Sequence, residues 1–190
     1  MKIGVLSIQG GVIEHINHLK ALGVQTIEVK KKEDLDDIDG IILPGGESTT
    51  IGKIISENGI KDKLKKLIKE GLPVWGTCAG MILLAKEIKN DTRRHLEVMD
   101  IEVERNAFGS QINSFIENAI INGVSNNPIP LVFIRAPYIS RILSDDVTIL
   151  GSVGGKIVAA RQRNMLATAF HPELTDNLEF HKYFLDMCQK

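Results

Sequence analysis

Residues 73–85 read PVWGTCAGMILLA. A short apolar run enters, Cys78 stands between Gly76 and Gly80, and a second apolar run leaves. Apolar runs on both sides of a glycine-flanked turn predict a buried strand, Leu72–Trp75, feeding a helix that opens near Ala79 and runs over Met81–Ile88. In open α/β sheets, ligands sit beyond the carboxyl ends of the strands. Cys78 falls at such an end, so this one stretch points to a fold class and to a place for chemistry.

The flanking sequence repeats the strand–turn–helix theme. Ile3–Ile8 reads as a buried strand ending at Gln9-Gly10-Gly11. Val12, Ile16, Leu19 and Leu22 recur at helical spacing until Gly23. Val24–Val29 and Ile41–Pro44 read as the next strands, with Gly45-Gly46-Glu47-Ser48 as a loop. Ser48, Thr49 or Thr50 is the expected cap of the helix that follows. Ile60, Leu64, Leu67 and Ile68 mark an amphipathic helix ended by Gly71, and the lysines from Lys61 to Lys69 fall on its solvated face. Alternating strands and helices predict an α/β fold with a mostly parallel, doubly wound central sheet and flanking helices.

The second half is richer in strands. Segments 96–104, 113–121, 131–135, 147–153, 156–161 and 165–170 read as strands separated by turn signals. Gly154-Gly155 between two apolar runs predicts a hairpin, so some strands here are antiparallel. A helix over about 176–188 closes the chain.

The 190 residues are 43% hydrophobic and 25% charged, which suits one domain, 1–190, with a substantial core. A formal net charge of −1 gives no electrostatic pull toward nucleic acid or an anionic membrane. Cys78 and Cys188 do not make a disulfide framework, which points to a reducing compartment. The opening MKIGVLSIQGG turns polar too soon for a signal peptide, and no apolar run is long enough to span a bilayer. The expectation is a soluble, cytoplasmic protein.

Gly76-Thr77-Cys78-Ala79-Gly80 has the form of a nucleophile elbow with sulfur in place of oxygen. A helix start favours thiolate, and the Ala79 N–H would point where an oxyanion develops. Cys188, near Phe184 and Met187 on the terminal helix, reads as packing. A nucleophilic thiol calls for a base and an orienting group. His15, His18 and His181 lie in helical patterns and His95 in a polar loop, so these read as surface or packing residues. His171 follows the apolar strand 165–170, and Glu173 stands two residues on. In extended backbone the two side chains project the same way, so the carboxylate could orient the imidazole. Leu43-Pro44-Gly45-Gly46-Glu47-Ser48 also leaves a strand's carboxyl end, and its glycines allow close approach of backbone N–H groups. No G-K-[ST] follows, so it is not a phosphate loop, and no Cys/His spacing suggests a metal.

Pro-Gly-Gly-Glu-Ser, Gly-Thr-Cys-Ala-Gly and His-Pro-Glu, in that order, resemble the class I (triad) glutamine amidotransferases. VLSIQGG (5–11), LPGGESTT (43–50), VERNAFG (103–109), IRAP (134–137) and AFHPELT (169–175) narrow the resemblance to the family of glutaminase subunits of pyridoxal 5'-phosphate synthase, over essentially the whole chain. The resemblance implies that Cys78, His171 and Glu173 are the catalytic triad. It implies that Gly46 and Ala79 supply backbone N–H groups to the oxyanion. It also implies that Gly46, Glu47, Ser48, Arg105, Ile134 and Arg135 line the glutamine site. An arginine near the substrate carboxylate is physically sensible because it can bind it bidentately. The family acts without a cofactor or metal of its own, beside a separate synthase subunit that receives the ammonia. The resemblance further implies weak activity until that subunit docks and orders the loop at Gly45-Gly46. Two positions depart from the family's pattern: Ser110, where arginine is commoner, and Tyr138, where histidine is. Read from the residues alone, a glutaminase serving another synthase, a cysteine hydrolase of related fold and a binding subunit with an inactive site remain alternatives.

Overall fold

The computed structural model describes residues 1–106 and 114–189. Ser110 and the Ala107-Phe108-Gly109 part of VERNAFG lie outside the described residues, as does position 113, where one expected strand was to begin. The strands are β1 (Lys2–Leu6), β2 (Gln25–Val29), β3 (Gly40–Leu43), β4 (Val74–Thr77), β5 (Ala85–Ile88), β6 (Met99–Glu104), β7 (Ser114–Ala119), β8 (Ile129–Ile134), β9 (Tyr138–Ile142), β10 (Thr148–Val153), β11 (Lys156–Gln162) and β12 (Met165–Thr168). The helices are α1 (Val12–Ala21), α2 (Ser48–Glu57), α3 (Ile60–Lys69), α4 (Ala79–Leu84) and α5 (Glu179–Cys188), with single 3₁₀ turns at Lys32–Leu35 and Pro172–Leu174.

The main sheet runs β2-β1-β3-β4-β12-β11-β9-β6-β5, with β10 added against β11. Its first five strands are all parallel. β3 and β4 are buried on both faces and β1 nearly so, as a parallel sheet covered by helices requires. From β12 through β11 and β9 to β6 the pairing is antiparallel, and β6 accordingly alternates buried and half-buried residues. The β10–β11 hairpin turns at Gly154-Gly155, with Val153 opposite Lys156. β7 and β8 form a separate antiparallel pair.

Two elements differ from expectation. The helix predicted over Met81–Ile88 stops at Leu84, and Ala85–Ile88 is β5, parallel to β6 through Ala85 opposite Met99. Lys86 pairs with Asp100 on β6, and Glu87 pairs with Arg141 on β9, so tertiary pairing overrides good local helix formers. β9 was not anticipated; it fills the place between β11 and β6.

The core is centred on Trp75, which meets Phe180 and Phe184 of α5 at ring separations of 6.0 and 5.8 Å. Its indole N–H donates to Thr168 Oγ1 at 3.0 Å, tying β4 to β12. α3 buries Ile60, Leu64 and Ile68, while Lys63, Lys65 and Lys66 pair outward with Asp36, Glu97 and Glu70, as its stripe predicts. Among the described residues no helix is long and apolar enough to cross a membrane. The register decides where chemistry can sit. Leu43 lies beside Gly76, and Thr77 beside Thr168, so β3, β4 and β12 end side by side. The loops leaving them carry Gly45-Gly46, Cys78 and His171.

Candidate active site

Cys78 sits between β4 and α4 with φ 51° and ψ −105°. That region is strained for any residue with a Cβ and persists only where the surroundings over-determine it. The surroundings do so through contacts that only glycine permits. A Cβ on Gly80 would stand 2.0 Å from the Leu43 carbonyl oxygen, and one on Gly76 would stand 2.4 Å from the Gly80 carbonyl. β3, β4 and the start of α4 therefore touch backbone to backbone. The Cys78 N–H donates to Thr168 O at 2.8 Å, and its carbonyl accepts from Met81 N at 3.1 Å. Cys78 as a whole is left 7% exposed, with Sγ 3.9 Å from the Ile134 carbonyl.

His171 is held by its own N–H, which donates to Val132 O on β8 at 2.8 Å. Its Nδ1 lies 2.8 Å from Glu173 Oε1. Glu173 is almost wholly buried. Burial works to lower the imidazole's pKa, but hydrogen bonds with Cys78 and Glu173, and their charges, outweigh it and push it up to about 10. The ring is thus held in its charged form between the Glu173 carboxylate and the Cys78 sulfur. Two glycines make room for it. A Cβ on Gly45 would fall 2.6 Å from His171 Cε1, and one on Gly11 would fall 2.8 Å from Glu173 Oε1.

A cavity of about 440 Å³ opens over the sulfur. Its walls include Gly46, Glu47, Ser48, Cys78, Ala79, Arg105, Ile134, Arg135 and His171, so every residue expected at the site except Glu173 reaches it. Glu173 stands behind His171 instead. Ile82, Asn106 and Pro137 also line the cavity and were not anticipated. Arg105 is held at the rim by Asp91, with Nη2 2.5 Å from Oδ2, and its Nη1 reaches Ser48 Oγ at 3.4 Å. Arg135 is exposed and has φ 44°. Tyr138, one of the departures, donates to Glu104 at 2.8 Å.

The helix cap differs from expectation. Glu47 caps α2, accepting from Thr49 N at 3.0 Å and Thr50 N at 2.7 Å, and Ser48 is the first helical residue. The longer carboxylate satisfies two free N–H groups where a serine hydroxyl would satisfy one. Slight burial works to raise the Glu47 pKa, but these hydrogen bonds hold it down at about 2. A depressed folded-state pKa means the cap's stabilisation is present above the unfolded value, 4.5, and is lost as pH falls through about 2. Replacing Glu47 by alanine is expected to cost about 1 kcal/mol, or about 2–4 °C in melting temperature. The gap from wild type, followed by thermal melts, should be widest near neutral pH and narrow as pH drops below 4.5.

Sequence reading also passed over what lies behind the site. Gln9 Oε1 accepts from Glu47 N at 3.0 Å, and a Cβ on Gly10 would strike Gly45 O at 1.9 Å. Gln9-Gly10-Gly11 is thus a floor for the site as well as a strand end. His15, expected at the surface or in packing, is fully buried with Nε2 3.4 Å from Glu173 Oε2. The available signal was its place in the buried stripe of α1, beside Val12, Ile16 and Leu19.

Known proteins of similar sequence and fold place the chain in a family. A pyridoxal 5'-phosphate synthase subunit PdxT from Clostridium kluyveri is 56% identical over 189 residues, covering 100% of both chains. One from Clostridium beijerinckii is 58% identical over 185 residues, covering 97% of each. The crystal structure of a glutamine amidotransferase superposes with a TM-score of 0.93 at 46% identity, covering 99% of both chains. The model of the SNO glutamine amidotransferase family matches residues 5–190, and the chain belongs to that family.

Proposed function

We propose that the chain hydrolyses L-glutamine to L-glutamate and ammonia, and passes the ammonia to a synthase subunit that makes pyridoxal 5'-phosphate. The observation that carries this is the meeting of Cys78, His171 and Glu173 at the ends of adjacent parallel strands, under a cavity, in a member of this family. The full-length relatives named as subunits of that synthase support the partner.

In this reading the Cys78 thiolate attacks the side-chain amide carbon of glutamine. The backbone N–H groups of Gly46 and Ala79 receive the oxyanion. The His171 imidazolium gives its proton to the amide nitrogen, the C–N bond breaks, and ammonia leaves a glutamyl thioester. Neutral His171 then takes a proton from water, and the hydroxide adds to the thioester carbon. The second oxyanion collapses, the C–S bond breaks, and the thiolate–imidazolium pair is restored as glutamate departs. Glu173 holds the imidazole in the tautomer and direction that both transfers need. Arg105 and Arg135 face the α-carboxylate, with Glu47, Ser48 and Ile134 completing the wall. No cofactor or metal is required.

Residues 1–190 act as one glutaminase domain in the cytoplasm. Gly46 has φ 139°, a backbone state that favours glycine, and Gly45 precedes it, so the oxyanion loop can turn a peptide at small cost. The free chain is therefore weakly active, and docking of the synthase raises its rate. Ammonia release, assayed on the chain alone and with the synthase subunit, tests this. A rate that climbs severalfold with the synthase supports the reading. Equal rates would remove the activation, and no release under either condition would remove the glutaminase.

A further inference from the structure

Glu173 spends one carboxylate oxygen on His171; the other, Oε2, is buried and has no hydrogen bond of good geometry among the described residues. A buried carboxylate oxygen without a donor is costly and free to turn. The ring nitrogen placed to serve it is His15 Nε2, at 3.4 Å. His15 Nδ1, on the far side of the ring, lies 2.9 Å from His181 Nε2. His15 and His181 are both fully buried, and Trp75 meets their rings edge-on at 5.5 and 4.9 Å. His18 stacks on His181 at 4.6 Å, and Thr77 Oγ1 lies 3.5 Å from His15 Nε2.

Only one assignment of protons suits this geometry. Suppose His15 carried its proton on Nδ1. Its Nε2 lone pair would then face the Glu173 carboxylate. His181 would have to accept at Nε2 and so carry its own proton on Nδ1, a buried atom with no hydrogen-bond partner among the described residues. That combines a repulsion with an orphaned N–H, and buried orphan N–H groups are rare. The opposite tautomers leave only an unpaired lone pair on His181 Nδ1. Burial lowers the pKa of both rings, His181 to about 3, so both are neutral at pH 7 and have a tautomer to choose.

We propose that His181 and His15 form a directed donor line behind the triad: His181 Nε2–H donates to His15 Nδ1, and His15 Nε2–H donates to Glu173 Oε2. The line fixes the rotation of the Glu173 carboxylate and thereby the ring of His171. His15 and His181 are positioning residues; neither reaches the cavity. This rests on the glutaminase reading for its catalytic consequence, while the tautomers stand on the geometry alone.

The first test is made on the wild-type chain. Long-range ¹⁵N–¹H NMR of histidine-labelled protein, assigned with single substitutions, reports which nitrogen of each ring is protonated. Protonated Nε2 and bare Nδ1 in both His15 and His181 are expected; a proton on Nδ1 of His15 overturns the proposal. The second test is glutamine hydrolysis in the presence of the synthase subunit. His181→Phe removes the donor and should lower kcat about tenfold, with KM for glutamine unchanged. His181→Gln, which offers an amide N–H near the place of Nε2, should recover most of it. His15→Phe should lose at least as much as His181→Phe. A purely structural role would lower the melting temperature of the Phe variants and leave kcat per folded molecule equal in His181→Phe and His181→Gln, which also overturns the proposal. If the Phe variants do not fold, the wild-type tautomers decide. An inactive wild type would count against the glutaminase reading, and the NMR result would still decide the donor line.

Discussion

Cys78→Gly is expected to abolish glutamine hydrolysis and to make the protein more stable. Loss of the nucleophile removes the thioester route, so the rate with glutamine should fall by at least about 10⁴-fold. The stabilising half follows from the backbone. Cys78 holds φ 51° and ψ −105°, and such a conformation costs a residue with a Cβ about 1–3 kcal/mol. Glycine adopts it freely, and the lost side chain borders the cavity rather than filling the core. A net gain of about 1 kcal/mol, or about 2–4 °C in melting temperature, should appear in a thermal scan. Cys78→Ala keeps the Cβ and the strain, so it should be equally inactive and no more stable than wild type. The pair separates the two effects. If the glycine variant melts below the alanine variant, the elbow is not strained by its nucleophile.

The second large effect is expected at a residue with no side chain. Gly45→Ala would set a methyl group 2.6 Å from His171 Cε1, 3.3 Å from its Nδ1 and 3.5 Å from Cys78 Cβ. Nothing else in the triad changes. The imidazole must give way, and a displacement of the order of 1 Å at a reacting group costs about 10²-fold. A fall in kcat of about 10²–10³-fold is expected, with circular dichroism unchanged. Gly23→Ala is the matched control, since a Cβ there meets nothing within 4 Å. Its φ of 74° should cost stability and leave the rate per folded molecule intact. Near-normal hydrolysis by Gly45→Ala would mean that His171 has room to move and still work.

These expectations show which parts of the site could be read from sequence. Cys78, His171 and the Gly45-Gly46 loop each follow a short apolar run, and a parallel sheet brings such run-ends to one edge. The two glycines of the elbow could be read as close contacts, though not with what. It took the structure to show Leu43 O against Gly80. β5 was illegible because Ala-Lys-Glu-Ile suits a helix locally and is a strand only by pairing with Met99–Glu104. β9 was hidden because Tyr-Ile-Ser-Arg-Ile is neither a continuous apolar run nor a regular alternation. His15 could not be assigned for a different reason. Its role depends on Glu173, which stands far along the chain from it, and on a protonation pattern that no spacing encodes.

β12 is the last strand in the chain, yet it lies in the middle of the sheet, between β4 and β11. A ribosome that has delivered Cys78 has delivered less than half of these 190 residues. His171 and Glu173 come much later, and the place they must enter is a slot already flanked by earlier strands. On the proposed mechanism, a nascent chain that stops short of His171 therefore carries a thiol but no means to release ammonia. Delivery of His171 and Glu173 is then the step that completes the proposed triad. The same topology makes assembly dependent on contacts between distant parts of the chain, which slows folding. Under the same proposal, the site exists only once β12 has taken its place between β4 and β11.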